Sequence, residues 1–234
     1  MTYRINFCQG ELSEHVAIIG DGKVGKTSFA RDHLLRKLPG TFKKWCYDYN
    51  HNGFIGIGPP VRSLDALIDA NMQYLPQEKS KEELNGFLEV ALRLGNRVVA
   101  IDEFHAQQNS KSIPKPTQVF LKTFRHVSGS WIVIAQSPLE LHDDVYHNAD
   151  HIFAFFMKPT SRHTAWYYEK FGQPMTFKLM ELHYEAVQLK AKRPYIYTGA
   201  SSIEAVIYSH KGKFVQRFDA KGKPIIVQLK GAKA

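Results

Sequence analysis

Residues 16–28 read Val-Ala-Ile-Ile-Gly-Asp-Gly-Lys-Val-Gly-Lys-Thr-Ser. The apolar residues 16–19 predict a buried strand, and the run 26–38 predicts a helix. The glycine-rich segment between them fits the pattern G-x-x-x-x-G-K-[ST], in which backbone N–H groups at a helix N-terminus surround phosphate groups. Strand, loop and helix in this order predict a site for a nucleoside triphosphate.

The chemistry of this loop follows from its residue types. Glycine adopts backbone conformations that other residues avoid, so Gly20, Gly22 and Gly25 let the main chain approach an anion. Lys26 adds a positive charge for the β- and γ-phosphates, and the Thr27 hydroxyl is expected to bind Mg²⁺. The residues predicted to bind the nucleotide are Gly20, Asp21, Gly22, Lys23, Val24, Gly25, Lys26, Thr27 and Ser28.

Length and composition suit an ordinary soluble globular protein. The chain has 234 residues, of which 44% are hydrophobic and 23% charged, and this fits one α/β domain with a small appendage. No apolar run approaches the ~20 residues that span a bilayer, and no leader-like segment opens the chain, so we expect a cytoplasmic protein without a membrane segment. The net charge of +9 suggests a polyanionic partner, most simply nucleic acid.

Strand-like and helix-like runs alternate along most of the chain. Apolar or aromatic runs at 44–49, 97–101, 131–135 and 152–156 predict further strands. This alternation is typical of βαβ units, so we predict an α/β fold with a mainly parallel central sheet flanked by helices. Local patterns also predict an edge strand at 3–7, a helix after Ser63, a helix 81–94 opened by the capping box Ser80 to Glu83, a loop at 105–117 and a helix at 117–127.

The pattern changes at about Pro194. Short β-type segments follow it, with lysine- and glycine-containing turns at 210–213 and 219–223 that are typical of hairpins. We therefore predict a P-loop core at 1–193 and a small, basic β-hairpin appendage at 194–234.

Two carboxylates, Asp102 and Glu103, follow the apolar run 97–101. An aspartate at this point is the Walker B pattern and is expected to hold Mg²⁺ together with Thr27. Glu103 is placed to orient and polarise an attacking water. Between Lys26 and Asp102 there is room for an extra strand, at 44–49, and for two helices, an insertion typical of ATPases of the additional-strand, catalytic-glutamate type.

Two further side chains are predicted to act on the nucleotide. Gln136 ends the strand at 131–135, and the carboxyl ends of parallel strands share one edge of a sheet, so its amide is expected near the P-loop as a γ-phosphate sensor or water-orienting group. Arg125 precedes that strand and is a candidate arginine finger for a neighbouring subunit's nucleotide. Less well placed alternatives to it are Arg62, Arg93, Arg97 and Arg162.

The P-loop looks like that of small Ras-like GTPases. Those proteins need Asp-x-x-Gly, but Asp102 is followed by Glu-Phe-His, and no Asn-Lys-x-Asp tetrapeptide is present to read guanine. A Ras-like GTPase switch and a non-motor P-loop protein that binds nucleic acid are the alternatives to an ATPase. A helicase would need a second RecA-like domain, for which the chain is too short.

A second resemblance, over roughly residues 15–160, is to the FtsK/HerA superfamily of P-loop ATPases, and in particular to the viral genome-packaging ATPases. The matching elements follow the family's order: the P-loop at 20–27, an aromatic strand ending in Asp48 with Asn-Gly after it, Val-Val-Ala-Ile-Asp-Glu-Phe-His at 98–105, Arg125 to Gly129 followed by a strand and Gln136, and the strand region 148–155.

This resemblance implies a RecA-like fold and an ATPase that binds ATP and Mg²⁺ and drives double-stranded DNA into a viral capsid. It also implies a homo-oligomeric ring, expected to be a hexamer, that works in the host cytoplasm and docks at a capsid or portal vertex. By the same resemblance Gln136 is the sensor and Arg125 the trans-acting finger. Candidate DNA contacts are the loop Lys111–Lys115 and the hairpin residues Lys211, Lys213, Lys221 and Lys223.

Overall fold

The computed structural model describes residues 5–107, 112–188, 194–199, 202–208, 215–219, 221 and 223–225. The chain forms two compact units, which we name after the pairing of their strands and describe in turn. The parallel unit contains residues 2–19 and 26–150, and the antiparallel unit contains residues 20–25 and 151–234.

The sheet of the parallel unit is built from β1 (Val16–Ile19), β2 (Lys43–Tyr47), β3 (Pro60–Val61), β4 (Met72–Tyr74), β5 (Arg97–Ile101) and β6 (Ser130–Ala135). These strands lie in the order β1-β6-β5-β2-β4-β3, and each adjacent pair is parallel. In the sheet, β6 lies between β1 and β5, although the chain that connects β1 to β6, residues 20–129, includes four other strands.

The strand register sets where the polar residues meet. Ile19 pairs with Ala135, Tyr47 pairs with Ile101 and Ile101 pairs with Val133, so β1, β2, β5 and β6 end within two residues of one another. We call this side of the sheet the carboxyl edge and the opposite side, where these strands begin, the amino edge. The residues that follow the strands are thereby gathered at the carboxyl edge.

The middle of this sheet is its core. Every residue of β5 and β6 is buried, as expected for parallel strands that are covered on both faces. The charged member of this set is Arg97, whose guanidinium lies 4.3 Å from the centre of the Trp45 ring and 3.1 Å from the Asp69 carboxylate. Ring stacking and an ion pair offset the cost of burying this charge.

The helices of the parallel unit alternate with its strands along the chain. They are α1 (Lys26–Phe29), α2 (Lys81–Leu94), α3 (Phe104–Gln107), α4 (Lys115–Thr123) and α5 (Asp143–Asn148), and short 3₁₀ turns lie at Gly10–Leu12, Leu64–Ala66, Phe124–Val127 and Pro138–Glu140. Among the helices in the described ranges, none combines the length and the apolar character that a bilayer crossing requires.

Helix α2 shows how the sequence specifies a helix. The Ser80 hydroxyl accepts the Glu83 N–H at 3.1 Å, so the predicted N-cap is confirmed. The Glu83 carboxylate accepts the N–H groups of residues 77–79, at 2.8–2.9 Å, instead of the Ser80 N–H that a capping box would use. The buried face contains Leu84, Phe87, Leu88 and Ala91. Gly95 ends the helix with a positive φ of 56°.

The helix after the P-loop is less regular than predicted. The sequence indicates one helix over 26–38, but α1 passes into a π-helical segment, Ala30–Leu34, and then into a 3₁₀ turn, Leu35–Lys37. Arg31 lies in the π-helical segment, where it donates to the Gly53 carbonyl at 3.1 Å and pairs with Asp32. These contacts tie the irregular segment to the loop that follows β2.

The antiparallel unit contains β7 (His151–Phe155), β8 (Tyr195–Gly199), β9 (Ser202–Tyr208), β10 (Val215–Phe218) and β11 (Pro224–Ile225), together with α6 (Ser161–Phe171) and α7 (Gln173–Gln188). Consecutive strands pair in antiparallel fashion. Because β8 pairs with β7, the segment after residue 194 continues the strand pairing of this unit. The domain boundary at 193/194 stays a prediction.

One predicted hairpin turn is present and the other lies outside the described residues. Between β10 and β11 the Asp219 carboxylate accepts the N–H groups of Lys221 and Lys223, both at 2.9 Å. An aspartate that bonds the backbone two residues ahead is a standard turn device. The second predicted turn, at 210–213, is not among the described residues.

Several short elements differ from the sequence-based expectations. Residues 5–7 form no strand, and the helix expected after Ser63 is a single turn, Leu64–Ala66, although Ser63 does cap it. The strands β3 and β4 and the helix α3 were not expected. With two to four residues each, they are too short to show a period, and pairing with neighbours decides them.

Candidate functional site

The start of the P-loop is held within the antiparallel unit. Gly20 has φ 151°, and a Cβ on it would lie 2.6 Å from the Cβ of Phe155, so only glycine fits. The Asp21 N–H donates to the Phe156 carbonyl at 3.2 Å, and the Asp21 carboxylate accepts the Lys158 N–H at 2.7 Å. The segment that follows β7 therefore fixes where the loop begins.

The end of the P-loop belongs to the parallel unit and lies beside the end of β5. Lys26 is the first residue of α1 and its side chain is buried. The Thr27 hydroxyl donates to Oδ1 of Asp102 at 3.1 Å. Asp102 follows β5 directly, and its N–H donates to the Tyr47 carbonyl at 3.0 Å. The structure thus brings together the two residues predicted to bind the metal.

This pair fits a hard divalent cation by its chemistry, because Mg²⁺ prefers hydroxyl and carboxylate oxygens. Burial, together with the neighbouring carboxylates of Glu103 and Asp48, raises the pKa of Asp102 to about 6, while the Thr27 hydrogen bond and the Lys26 charge act in the opposite direction. A cation here would stabilise the ionised carboxylate.

A third carboxylate, Asp48, lies at the same edge. It follows β2 and is fully buried. Its Oδ2 accepts the Phe54 N–H at 3.0 Å and the Gln73 amide at 2.7 Å. Its Oδ1 is one of the buried polar atoms without a hydrogen-bond partner among the described residues.

Gly53 shows how little space separates these groups. A Cβ on Gly53 would lie 2.5 Å from Cγ2 of Thr27, 3.3 Å from Oδ1 of Asp48 and 3.5 Å from Oδ2 of Asp102. The three side chains therefore surround one small volume that even a methyl group would crowd. Glycine keeps this volume open.

Glu103 and Gln136 are in direct contact, as the shared strand edge predicts. The Gln136 amide donates to both carboxylate oxygens of Glu103, each at 3.0 Å. Glu103 itself has φ 51°, a strained backbone for a residue with a long side chain. Strain at a residue held by its neighbours is typical of functional sites.

His105 joins this pair and was not predicted as a site residue. Its Nδ1 accepts the Gln136 N–H at 3.3 Å, so in the neutral ring the proton is on Nε2. That Nε2 lies 3.3 Å from Glu103 and 3.8 Å from Glu140. One imidazole therefore links the backbone of Gln136 to the carboxylate of Glu103.

Arg125 is not part of this group within its own chain. It lies in the turn that precedes β6, at the amino edge, where it donates to the Asn148 carbonyl at 3.3 Å and pairs with Asp150 at 3.4 Å. Asp150 also accepts the His15 N–H at 2.7 Å. A role for Arg125 at a neighbouring subunit's nucleotide stays a prediction.

The candidate DNA contacts are only partly within the described residues. Lys115 begins α4, and Lys221 and Lys223 are exposed in the turn between β10 and β11. Lys111, Lys211 and Lys213 lie outside the described residues.

Of the two residues that were not predicted as site residues, Asp48 has a signal in the sequence and His105 does not. Asp48 follows an apolar strand as Asp102 does, and this pattern marks a side chain at the carboxyl edge. His105 comes two residues after Glu103, but a single turn of helix, α3, is needed to bring it back towards Gln136, and the sequence indicates a loop there.

No family model matches the chain, and a search of curated proteins finds no match. Solved structures are similar to it over most of its length. The genome packaging NTPase B204 from Sulfolobus turreted icosahedral virus 2, in complex with AMPPCP, has a TM-score of 0.62 and 18% sequence identity, with 92% of this chain and 98% of that chain covered.

A second similar structure is B204, the DNA-packaging ATPase from Sulfolobus turreted icosahedral virus. Its TM-score is 0.58 at 19% identity, and the match covers 93% of this chain and 99% of that chain. At this level of identity the likeness concerns the fold.

The fold class is that of RecA-like P-loop NTPases, with a mainly parallel sheet flanked by helices and antiparallel strands towards the C-terminus. The prediction of the fold class is confirmed. The resemblance to viral genome-packaging ATPases that the sequence motifs indicated is confirmed at the level of the fold.

Proposed function

We propose that this chain is the ATP-hydrolysing subunit of a motor that packages double-stranded DNA into a viral capsid. The observation that carries the proposal is the set of contacts at the carboxyl edge. Thr27 contacts Asp102 at 3.1 Å, and Gln136 holds Glu103 at 3.0 Å, each beside the end of a central strand. A phosphate-binding loop with this pair of contacts has what nucleotide hydrolysis requires.

Thr27 and Asp102 would hold Mg²⁺, which supplies charge neutralisation for the phosphate oxygens when it is bound. Lys26 would add a positive charge at the β- and γ-phosphates. Glu103 would orient the attacking water and accept its proton as the new bond to the γ-phosphorus forms and the bond to the β,γ-bridging oxygen breaks. The products are ADP and inorganic phosphate.

Gln136 and His105 control where the Glu103 carboxylate points. Gln136 donates to both of its oxygens and His105 lies 3.3 Å from one, so the carboxylate has a defined direction before any water is bound. A carboxylate has about four lone-pair sites, so it can accept a hydrogen bond from water as well. A fixed base of this kind is expected to contribute roughly 10²–10⁴ in rate.

The motor part of the proposal rests on charge and on the similarity of fold to packaging NTPases. The chain carries a net charge of +9, and Lys221 and Lys223 are exposed at one hairpin turn. Phosphate contacts by such lysines would hold DNA without reading its sequence. The subunits would form a ring, expected to be a hexamer, that acts in the host cytoplasm and docks at a capsid or portal vertex.

The test is to measure hydrolysis of ATP and of GTP, each with and without double-stranded DNA, over a salt series. We expect ATP to be preferred, DNA to stimulate turnover, and the stimulation to fall steeply as salt rises. A preference for GTP without any response to DNA would favour the GTPase switch. DNA binding without hydrolysis of either nucleotide would favour a passive binding protein.

A matched pair of variants tests the DNA contacts. Lys221→Ala with Lys223→Ala removes two exposed lysines of the hairpin, whereas Lys81→Ala with Lys170→Ala removes two exposed lysines from α2 and α6. We expect only the hairpin variant to lose DNA stimulation and to show a reduced salt slope. Equal effects in both variants would remove the hairpin from the proposal.

A further inference from the structure

Asp48 is a buried and incompletely satisfied acidic group at the carboxyl edge. Its side chain is fully buried, and Oδ2 already has two donors, the Phe54 N–H and the Gln73 amide. Oδ1 is buried without a hydrogen-bond partner in the described part of the chain. Burying a charged oxygen without a hydrogen-bond partner costs free energy, so we expect Oδ1 to have a further partner when the site is occupied.

Oδ1 of Asp48 lies close to Asp102 and Thr27. The Cβ position of Gly53 lies 3.3 Å from Oδ1 of Asp48, 3.5 Å from Oδ2 of Asp102 and 2.5 Å from the Thr27 methyl group. Oδ1 therefore borders the same small volume as the two residues proposed to hold Mg²⁺. Two carboxylates around one volume repel each other unless a cation lies between or beside them.

We propose that Asp48 is a second acidic residue of the divalent-cation site, and that its Oδ1 completes the site formed by Thr27 and Asp102. The inference rests on the proposed function, because it assumes that Mg·ATP binds here. The added negative charge would tighten the hold on the cation, and Gly53 keeps the volume open.

A purely structural role for Asp48 makes a different prediction. In that case its purpose is to accept the Phe54 N–H and the Gln73 amide through Oδ2, and an asparagine could do the same with its amide oxygen. Asp48→Asn keeps the size and this acceptor but removes the charge at Oδ1. Gln73→Ala has the opposite effect, because it removes a donor to Oδ2 and leaves the carboxylate intact.

The experiment measures Mn²⁺ affinity by electron paramagnetic resonance, with a non-hydrolysable ATP analogue bound. We expect Asp48→Asn to bind Mn²⁺ at least about 10-fold more weakly than the wild type, the scale seen when groups that support a metal site are removed. Gln73→Ala and the exposed control Asp65→Asn should stay within about threefold of the wild type. Unchanged Mn²⁺ affinity in a folded Asp48→Asn variant would overturn the inference.

A second measurement needs no variant. Anomalous diffraction from the wild-type protein with Mn²⁺ and the analogue locates the cation directly. We expect Oδ1 of Asp48 within about 4.5 Å of it, which allows direct contact or one intervening water. A cation farther away, with Oδ1 bonded elsewhere, would overturn the inference even if Asp48→Asn failed to fold.

Failure of the inference and failure of the proposed function are distinguishable. If the wild type binds the analogue and Mn²⁺ but is indifferent to Asp48, only the role of Asp48 is lost. If the wild type binds neither, the proposed ATPase is overturned and the inference falls with it.

Discussion

The two edges of the parallel sheet use their polar residues in different ways. The carboxyl edge brings together Thr27, Asp48, Asp102 and Glu103. Oδ1 of Asp48 is buried there without a hydrogen-bond partner among the described residues, and the backbone of Glu103 is strained. At the amino edge, polar groups mainly bond one another: Arg125 pairs with Asp150, Asp150 accepts the His15 N–H, and His15 stacks on Trp131 with ring centres 4.6 Å apart.

The two edges therefore differ in their expected roles: the polar residues of the amino edge stabilise the fold, and those of the carboxyl edge are proposed to act in catalysis. At the carboxyl edge, burial and the carboxylates of Glu103 and Asp48 raise the pKa of Asp102 more than the Thr27 hydrogen bond and the Lys26 charge lower it, and this fits the proposed binding of a cation. At the amino edge the charges are of opposite sign and already compensated, although His15 Nε2 is buried without a partner among the described residues. We therefore expect substitutions at the carboxyl edge to change turnover and most substitutions at the amino edge to change stability.

Arg125 would be an exception to this division, because it lies at the amino edge but is predicted to act on the nucleotide of a neighbouring subunit. If it is a trans finger, Arg125→Ala should lower turnover by roughly 10³–10⁵. Mixing Arg125→Ala with Lys26→Ala should restore part of the activity. In a mixed ring, some interfaces would pair the intact Lys26 of one subunit with the intact Arg125 of its neighbour. The measurement is ATPase rate against mixing ratio, and no recovery at any ratio argues against the finger.

Glu103→Gln tests the carboxyl edge directly. The variant keeps an acceptor for the Gln136 amide but cannot take a proton, so turnover should fall roughly 10²–10⁴-fold while ATP binding is retained. Single-turnover hydrolysis and nucleotide binding measured on the same preparation separate the two effects. Wild-type turnover in this variant would remove Glu103 from the mechanism.

His15 gives the amino edge a pH dependence. Burial and the nearby Arg125 charge lower the pKa of His15 to about 3, whereas an unfolded histidine has a pKa of about 6.5. Below pH 6.5 the unfolded chain binds a proton that the folded chain does not, so stability falls as the pH drops from about 6.5 to 3. At pH 5 the loss from this group is about 2 kcal/mol.

His15→Asn isolates that contribution, because the asparagine oxygen can still accept the Trp131 N–H that His15 Nδ1 accepts at 3.3 Å. The free energy of unfolding in urea, measured at pH 7.5 and pH 5, should drop by about 2 kcal/mol less in the variant than in the wild type. Parallel losses in the two proteins would contradict the assignment to His15.

The smallest expected effect is the stability of Arg125→Ala. Its ion pair with Asp150 is partly exposed, with 28% and 29% of the two side chains accessible. Such pairs contribute about 0–1 kcal/mol, so the unfolding free energy should change by no more than that. A much larger loss would mean that any fall in turnover reflects folding rather than a missing finger.

Much of the site could be predicted from sequence because each residue has a local signal. Asp102, Glu103 and Gln136 each follow an apolar strand, and parallel strands place such residues at one edge. Asp48 has the same signal. The sequence does not indicate, however, that its Oδ1 is buried without a hydrogen-bond partner among the described residues, or that Gly53 lies close to it. His105 had no such signal, because its position depends on the one-turn helix α3.

The position of β2 in the sheet does not follow from its position in the sequence. The run at 44–49 lies between the two nucleotide motifs in sequence, but the strand that lies between β1 and β5 in the sheet is β6. Sequence order does not determine spatial order, since each crossover can place its strand on either side of its predecessor. The consequence is that Gln136, which follows β6, lies next to Glu103.

The sequence by itself determined the glycine-rich P-loop pattern, the two carboxylates after β5 and the alternation of strands and helices, because these depend on local spacing and on runs of apolar residues. Only the tertiary structure decided that Asp48 joins Thr27 and Asp102, that His105 and Gln136 hold Glu103, and that Arg125 pairs with Asp150. Most of those contacts join residues far apart in the chain, and the contact of His105 with Glu103 depends on the short helix α3. Their geometry depends on strand order, burial and backbone strain, which no local pattern encodes.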